Sequence, residues 1–116
     1  MCSSDLGTRG MLNETSLQLT KPGVIVVNLA RGDLIDPQAL TAALQSGHVS
    51  AAALDVFNPE PIPADHPIRL MPQVVLASHI ASASVPAVKK LRETAASLAL
   101  AALRGEPLPN VVNGVR

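Results

Sequence analysis

The sequence predicts an α/β protein: a parallel sheet followed by a long C-terminal helix. Apolar runs rich in β-branched residues alternate with segments that carry helix-capping signals, which is typical of parallel strands joined by crossover helices. The 116 residues are 47% hydrophobic, which is the composition of a globular domain. Residues 24–28, 37–45 and 49–56 show the alternation most clearly.

The first two elements are a short helix and a strand. Asn13 is a good N-cap for a helix over residues 14–19, which the tripeptide Lys21-Pro22-Gly23 ends. The β-branched run Val24–Asn28 follows. Continuous apolar runs are typical of strands in parallel sheets that are covered on both sides, so we expect both faces of this strand to be buried.

The later segments continue the alternation. Asp36 as N-cap and Pro37 as first residue open a helix that runs to about Gln45, and Ser46-Gly47 ends it. Downstream, the sequence predicts strands over 49–56 and 74–77, a proline-rich loop over 58–72, a helix from Ser84 or Val85 to Arg104, and an extended tail over 109–112. Strands joined by crossover helices imply a parallel sheet with right-handed crossovers. Ligands bind beyond the carboxyl ends of the strands in such sheets.

Charge and composition exclude several classes of partner. The formal net charge is zero, and nucleic acids and anionic membranes are held by basic surfaces, so we expect neither as a partner. No apolar run reaches the roughly 20 residues that span a bilayer, and the start has no signal-peptide pattern. Cys2 is the single cysteine, which fits a reducing compartment. We therefore expect a cytoplasmic protein.

Side chains that can carry chemistry follow the ends of three predicted strands. Arg31 follows the first, Asp55 and then Glu60 follow the second, and His79 follows the third. A guanidinium binds a carboxylate through two parallel hydrogen bonds. An imidazole exchanges a proton near neutral pH, and a carboxylate beside it orients the ring and favours its charged form. This set suits the reduction of a 2-oxo acid by hydride from a cofactor.

Each of these four residues also has a purely structural interpretation. Taken singly, they could be a surface ion-pair partner, a turn cap, a solvated carboxylate and a loop histidine. Among the remaining charged residues, His48 is interpreted as a surface residue and His66 as a loop residue. The cluster over 89–93 is interpreted as the solvated face of the long helix.

Three motifs, in order along the chain, resemble the D-isomer-specific 2-hydroxyacid dehydrogenases. They are KPGVIVVNLARG over 21–32 with Asp36 and Ala39-Leu40, Ala53–Phe57 with Glu60-Pro61, and Ser78–Ser82. The segments 8–13 and 104–113 fit as well, so the resemblance covers nearly all of residues 8–113. The tail is most similar to the glyoxylate and hydroxypyruvate reductase branch. The resemblance implies the second half of a Rossmann-type doubly wound parallel sheet, followed by the long C-terminal helix.

The resemblance also implies a role for each site residue. Arg31 would bind the substrate carboxylate, and His79 would be the acid/base with Glu60 as its partner. Asp55 would contact the nicotinamide carboxamide of NAD or NADP. The residues implied to lie at the nicotinamide are Leu29, Ala30, Arg31, His79, Ala81 and Ser82. A small 2-oxo acid, such as glyoxylate or hydroxypyruvate, would become a D-2-hydroxy acid; no metal is expected, and the parent protein would be a homodimer.

The sequence departs from the family where the dinucleotide phosphates bind. It contains no G-x-G-x-x-G turn, which places the pyrophosphate at a helix N-terminus, and no acidic residue some 20 positions later. We therefore interpret residues 8–83 as the C-terminal half of an NAD(P)-binding domain and 84–116 as a helix and tail that return toward a substrate domain. Without a phosphate-binding turn, we expect the chain alone to be inactive.

Two further expectations concern the nature of the chain. Residues 1–7 carry no pattern, and Cys2–Leu6 match the translation of a common sequencing adapter, so we hypothesise a truncated fragment with an artefactual start. The alternative to an oxidoreductase is a catalytically inert fragment or a dinucleotide-sensing binding module. The C-terminal binding proteins, which are corepressors of the same superfamily, exemplify such a module.

Overall fold

The computed structural model describes residues 7–109 and 111. The segment 1–6, on which the artefact hypothesis rests, and two positions of the expected extended tail, 110 and 112, lie outside the described residues. The chain divides into two compact units, the first ending at Ala81 and the second beginning at Ser82. No helix among the described residues is long and apolar enough to cross a membrane.

The first unit is built on a three-stranded parallel sheet. Its strands are β1 (Val24–Asn28), β2 (Val49–Leu54) and β3 (Val74–Leu76), in the spatial order β1-β2-β3. Helix α1 (Glu14–Gln18) precedes β1, and helix α2 (Pro37–Ser46) lies between β1 and β2 in the chain. The parallel α/β sheet expected from the sequence is confirmed, and β2 and β3 end one or two residues earlier than expected.

Local hydrogen bonds fix the ends of the helices. The Asn13 side chain accepts the Ser16 amide at 3.1 Å, while the Ser16 hydroxyl accepts the Asn13 amide at 2.8 Å. Asp36 Oδ1 accepts the amides of residues 38 and 39 at the start of α2. Gly47 ends α2 at a φ of 78°, a left-handed conformation that glycine adopts without a side-chain clash. The predicted caps are therefore confirmed.

The core lies between one face of the sheet and the helices. Leu40 and Leu44 of α2 are each 2% exposed and pack toward β2. The buried cluster comprises Leu17, Val26, Ile35, Leu40, Leu44, Val49, Ala52, Leu54 and Ile68. Ile68 belongs to a short 3₁₀ helix, Pro67–Leu70, which lies inside the proline-rich segment that the sequence predicted to be a loop.

The expectation that both faces of β1 are buried is wrong. Ile25 and Val27 are 63% and 61% exposed, and they alternate with the buried Val26 and Asn28. The strand order β1-β2-β3 explains this, because successive right-handed crossovers in one direction lie on the same side of a sheet. Within residues 7–81, both connections between strands therefore contribute to one core, which lies on the Val26 side.

His48 is also placed differently from the expectation of a surface residue. It is half-buried, and its Nε2 lies 2.8 Å from the Leu17 carbonyl oxygen and 3.1 Å from Thr20 Oγ1. The residue therefore ties the end of α1 to the start of β2. His66, interpreted as a loop residue, lies in the loop and accepts the Ile68 amide through Nδ1.

The second unit contains α3 (Val85–Leu103). The Ser84 hydroxyl caps its first turn by accepting the Ala87 amide, and Gly105 follows its end at a φ of 70°. No residue of this helix is buried. Lys89 and Glu93 form an exposed ion pair at 3.7 Å, as expected for the solvated face of the helix.

Candidate active site

The loop after β1 is shaped by a buried amide side chain. Asn28 is 6% exposed; its Nδ2 donates to the Arg31 carbonyl oxygen at 2.8 Å, and its Oδ1 accepts the Ala30 amide at 3.0 Å. These two hydrogen bonds close a tight turn at the carboxyl end of the strand. In this turn, Leu29 is 61% exposed to solvent, and Arg31 lies half-buried at the edge of the sheet.

Asp55 anchors the segment that follows β3. Its carboxylate is buried and accepts the amides of Ile80 at 2.8 Å and Ala81 at 2.9 Å. Its carbonyl oxygen accepts the His79 amide at 2.8 Å. The Ala81 and Ile80 amides, helped by the nearby His79, hold the pKa of the Asp55 carboxyl below its ordinary value, although burial opposes them. The charged carboxylate therefore holds His79 and the residues after it against the end of β2.

His79 and Glu60 form a hydrogen-bonded pair. His79 Nδ1 lies 3.0 Å from Glu60 Oε2, and Glu60 Oε1 accepts the Phe57 amide at 2.8 Å. The Phe57 amide is the main cause that lowers the pKa of Glu60, followed by the hydrogen bond from His79; the positive charge of Arg31 contributes less. An ionised carboxylate only accepts hydrogen bonds. Nδ1 therefore carries the proton, and Nε2 is the nitrogen available to a substrate.

His79 adopts an unusual backbone conformation. Its φ is 59°, in the left-handed region, which non-glycine residues seldom occupy. Backbone strain of this kind persists where the surroundings hold it in place, and such residues cluster at functional sites. The three hydrogen bonds to Asp55 provide that support.

A cleft of about 510 Å³ adjoins the imidazole–carboxylate pair. Asp55, Glu60 and His79 supply polar groups to its wall, and Phe57 and Ile62 supply apolar ones. Small-molecule sites combine an apolar lining with a few polar groups in this way. The cleft and the Arg31 turn lie at the carboxyl-end edge of the sheet, where the sequence predicted the site.

The residues expected at the nicotinamide are distributed over both units. Leu29 and Ala30 are exposed at the end of β1, and Ala81 is exposed at the end of the first unit. Ser82 belongs to the second unit. Their cofactor roles stay predictions. Among the described residues, no group of three or more His, Cys, Asp or Glu side chains could hold a metal ion.

The sequence alone predicts no role for Asn28. The signal was present, because Asn28 is a polar residue at the end of an otherwise apolar strand. Buried polar side chains are nearly always hydrogen-bonded, so a polar residue at that position predicts a local hydrogen-bonding task. The sequence also does not predict that the Phe57 amide holds Glu60. This donor belongs to the backbone, so the type of residue at position 57 does not indicate it.

The fold and the site together are typical of a dinucleotide-binding domain. The parallel sheet carries an arginine, a buried aspartate and a histidine–glutamate pair at the edge where such domains bind ligands. The family model described as "D-isomer specific 2-hydroxyacid dehydrogenase, NAD binding domain" matches residues 1–81. The chain belongs to this family, which confirms the resemblance found in the sequence.

Individual relatives agree with this assignment. A glyoxylate reductase of Thermofilum pendens is 43% identical over 106 residues, which are 91% of this chain and 31% of that protein. The crystal structure of a glyoxylate reductase from Paecilomyes thermophila superposes with a TM-score of 0.88 and 32% identity, covering 97% of this chain and 34% of that one.

A second solved structure was determined with a nicotinamide cofactor. It is a D-isomer specific 2-hydroxyacid dehydrogenase from Xanthobacter autotrophicus Py2 in complex with NADPH and MES. It superposes with a TM-score of 0.84 and 35% identity, covering 97% of this chain and 46% of that one. This chain spans about a third of the length of the Thermofilum pendens relative described above.

Proposed function

We propose that this chain carries the acid/base and carboxylate-binding half of the site of an NAD(P)-dependent reductase. The substrate would be a small 2-oxo acid of the glyoxylate or hydroxypyruvate type, and the product a D-2-hydroxy acid. The observation that carries the proposal is the 3.0 Å contact between His79 Nδ1 and Glu60 Oε2, at the sheet edge that also bears Arg31. Several relatives are named glyoxylate reductase, which supports the choice of substrate class.

The chemistry of these side chains matches the two polar ends of a 2-oxo acid. The Arg31 guanidinium forms a planar fork that binds a carboxylate through two hydrogen bonds. His79, charged and held through Nδ1, donates a proton from Nε2 to the carbonyl oxygen. The Glu60 carboxylate stabilises the positive imidazolium and keeps the ring oriented. After His79 has given up its Nε2 proton, the Glu60 carboxylate still accepts the hydrogen bond from Nδ1.

The exposed residues at the end of β1 fit a nicotinamide. Leu29 and Ala30 present apolar surface next to Arg31, and Ala81, two residues after His79, is exposed as well. The family resemblance implies that Ser82 also approaches the nicotinamide. Asp55 retains lone pairs beyond those that accept the two amides, so it could also accept from the carboxamide. A bound NADH or NADPH would supply the hydride. We propose the same cytoplasmic location and homodimeric parent as the sequence predicted.

A chimera tests the proposal. The matching 31% of the Thermofilum pendens glyoxylate reductase is replaced by this chain, and oxidation of NADH and NADPH by glyoxylate is measured. We expect turnover, and we expect His79→Ala to reduce kcat by about 10²–10⁴-fold, the usual contribution of a general acid. His48→Asn is the matched control, because His48 precedes β2 at the opposite end of the strands.

The outcomes separate the reductase from the alternatives. A folded chimera whose kcat is unaffected by His79→Ala would refute the proposed role. Saturable binding of NADH without turnover of glyoxylate or hydroxypyruvate would favour the dinucleotide-sensing module. A folded chimera with neither binding nor turnover would favour an inert fragment.

A further inference from the structure

The backbone at Gly32 lies directly against the peptide that joins Phe57 to Asn58. A Cβ atom at Gly32 would overlap the Phe57 carbonyl group and lie 2.6 Å from the Asn58 nitrogen. Non-bonded heavy atoms are in favourable contact at about 3.5–4.0 Å, so no side chain fits there. Only glycine allows the two backbone segments to touch.

This contact connects the two halves of the site. Gly32 follows Arg31 directly, and Phe57 donates its amide to Glu60 Oε1 at 2.8 Å. Glu60 Oε2 in turn holds His79 Nδ1. An unbroken series of backbone and hydrogen-bond contacts therefore runs from the arginine to the imidazole.

The distance between these two groups matters for the proposed substrate. In a 2-oxo acid, the carboxylate carbon is bonded directly to the carbonyl carbon. The protein group that binds the carboxylate and the group that donates the proton must therefore stay at a fixed distance from each other. A displacement of about 1 Å in an active site can cost about 10²-fold in rate. A flexible Arg31 turn would not maintain this separation.

We propose that Gly32 is a positioning residue that sets the separation between the Arg31 guanidinium and the Glu60–His79 pair. It does so by admitting the Phe57–Asn58 peptide into direct contact with the Arg31 turn. The significance of this role for catalysis rests on the proposed function. The separation itself can be measured in the isolated chain without turnover.

The test measures the electrostatic effect of Arg31 on Glu60. The Glu60 carboxyl is titrated by ¹³C NMR in the wild-type chain, in R31Q, in G32A and in the double variant. In the wild-type background, R31Q should raise the pKa of Glu60, because the arginine charge lowers it. In the G32A background, we expect R31Q to have no effect, because the arginine has moved away from the carboxylate.

Gly47→Ala provides the matched control. Gly47 has a φ of 78° and no atom within 4 Å of an added Cβ, so alanine there strains the end of α2 without touching the site. G47A should keep the full effect of R31Q on Glu60. If G47A also loses that effect, general destabilisation explains the result and the proposal is wrong.

The remaining outcomes are equally decisive. A G32A chain that retains the full effect of R31Q overturns the proposal. If G32A is unfolded in buffer, the titrations are repeated in trimethylamine N-oxide, which favours the folded state. Failure to fold there also overturns the proposal, because the glycine would then serve stability alone. An inactive chimera with the expected titrations would instead refute the proposed function and leave the positioning role intact.

Discussion

Replacing Asn28 with alanine should loosen the Arg31 turn and lower the stability of the first unit. The substitution removes both hydrogen bonds of a side chain that is 6% exposed: one from Nδ2 to the Arg31 carbonyl oxygen and one from the Ala30 amide to Oδ1. Leaving a buried polar group without a partner costs about 1–3 kcal/mol. Ala30 is exposed and Arg31 is half-buried, so water can partly replace the lost partners.

The lower end of that range therefore applies to each group, and we expect a loss of about 2 kcal/mol in the free energy of unfolding. Urea unfolding followed by far-ultraviolet circular dichroism measures it, since the chain has no tryptophan. Amide hydrogen exchange at Ala30 should accelerate beyond the change in global stability, because its acceptor is gone. Asn28→Asp should lose stability too, because it keeps an acceptor but replaces the Nδ2 donor with an oxygen.

Asn13→Ala serves as the control. Asn13 also makes local hydrogen bonds, but at a helix end far from Arg31 in the sequence, where losing an N-cap costs about 1 kcal/mol. It should leave exchange at Ala30 in line with global stability. Two results together would show that Asn28 does not hold the turn. Asn28→Ala would lower the free energy of unfolding by no more than Asn13→Ala does, and exchange at Ala30 would change only in proportion to global stability.

Three further predictions concern charge, substrate binding and the open sheet face. Because the folded-state pKa of Asp55 is lowered, its ionisation stabilises the fold above pH 3.8, and that contribution is lost as the pH falls through the folded-state pKa. Urea midpoints across this range should fall less steeply for Asp55→Asn, and an unaltered slope would contradict the anchoring role. In the chimera, Arg31→Lys should raise the KM for glyoxylate several-fold more than it lowers kcat, because lysine lacks the planar fork; an unaltered KM would count against the carboxylate clamp. Val27→Lys should reduce concentration-dependent self-association measured by sedimentation velocity, because Val27 lies on an exposed apolar face; Lys90→Ala on α3 is the comparison, and equal effects would exclude that face as the cause.

Much of the fold could be predicted because its signals are local. The side chains of Asn13, Asp36 and Ser84 each accept a hydrogen bond from a backbone amide two or three residues away. Their capping role can therefore be predicted from neighbouring residues. Strands β1 and β3 were recognisable because β-branched residues follow one another in them, whereas the alanine-rich β2 contains a single β-branched residue, Val49. The 3₁₀ helix at Pro67–Leu70 was missed because prolines obscured a single short turn.

The candidate site could be predicted only in part. The arginine, the two acidic residues and the histidine could be predicted as candidates because each comes after the end of a strand, and parallel strands end at one edge. The spacing of 19 residues between Glu60 and His79 contains no information about their contact. Their pairing depends on the backbone donor at Phe57 and on the path of the intervening loop.

The main helices and strands, their caps and the candidate site residues can be predicted from the sequence, because these predictions depend on hydrogen bonds and side-chain patterns within a few positions. The tertiary structure sets which face of β1 is covered, since that follows from the direction of the crossovers. It also decided that Asp55 holds the His79 segment and that Gly32 touches the Phe57–Asn58 peptide. These contacts join residues about 25 positions apart, and their distances are set by how β1, β2 and β3 pack rather than by any local preference.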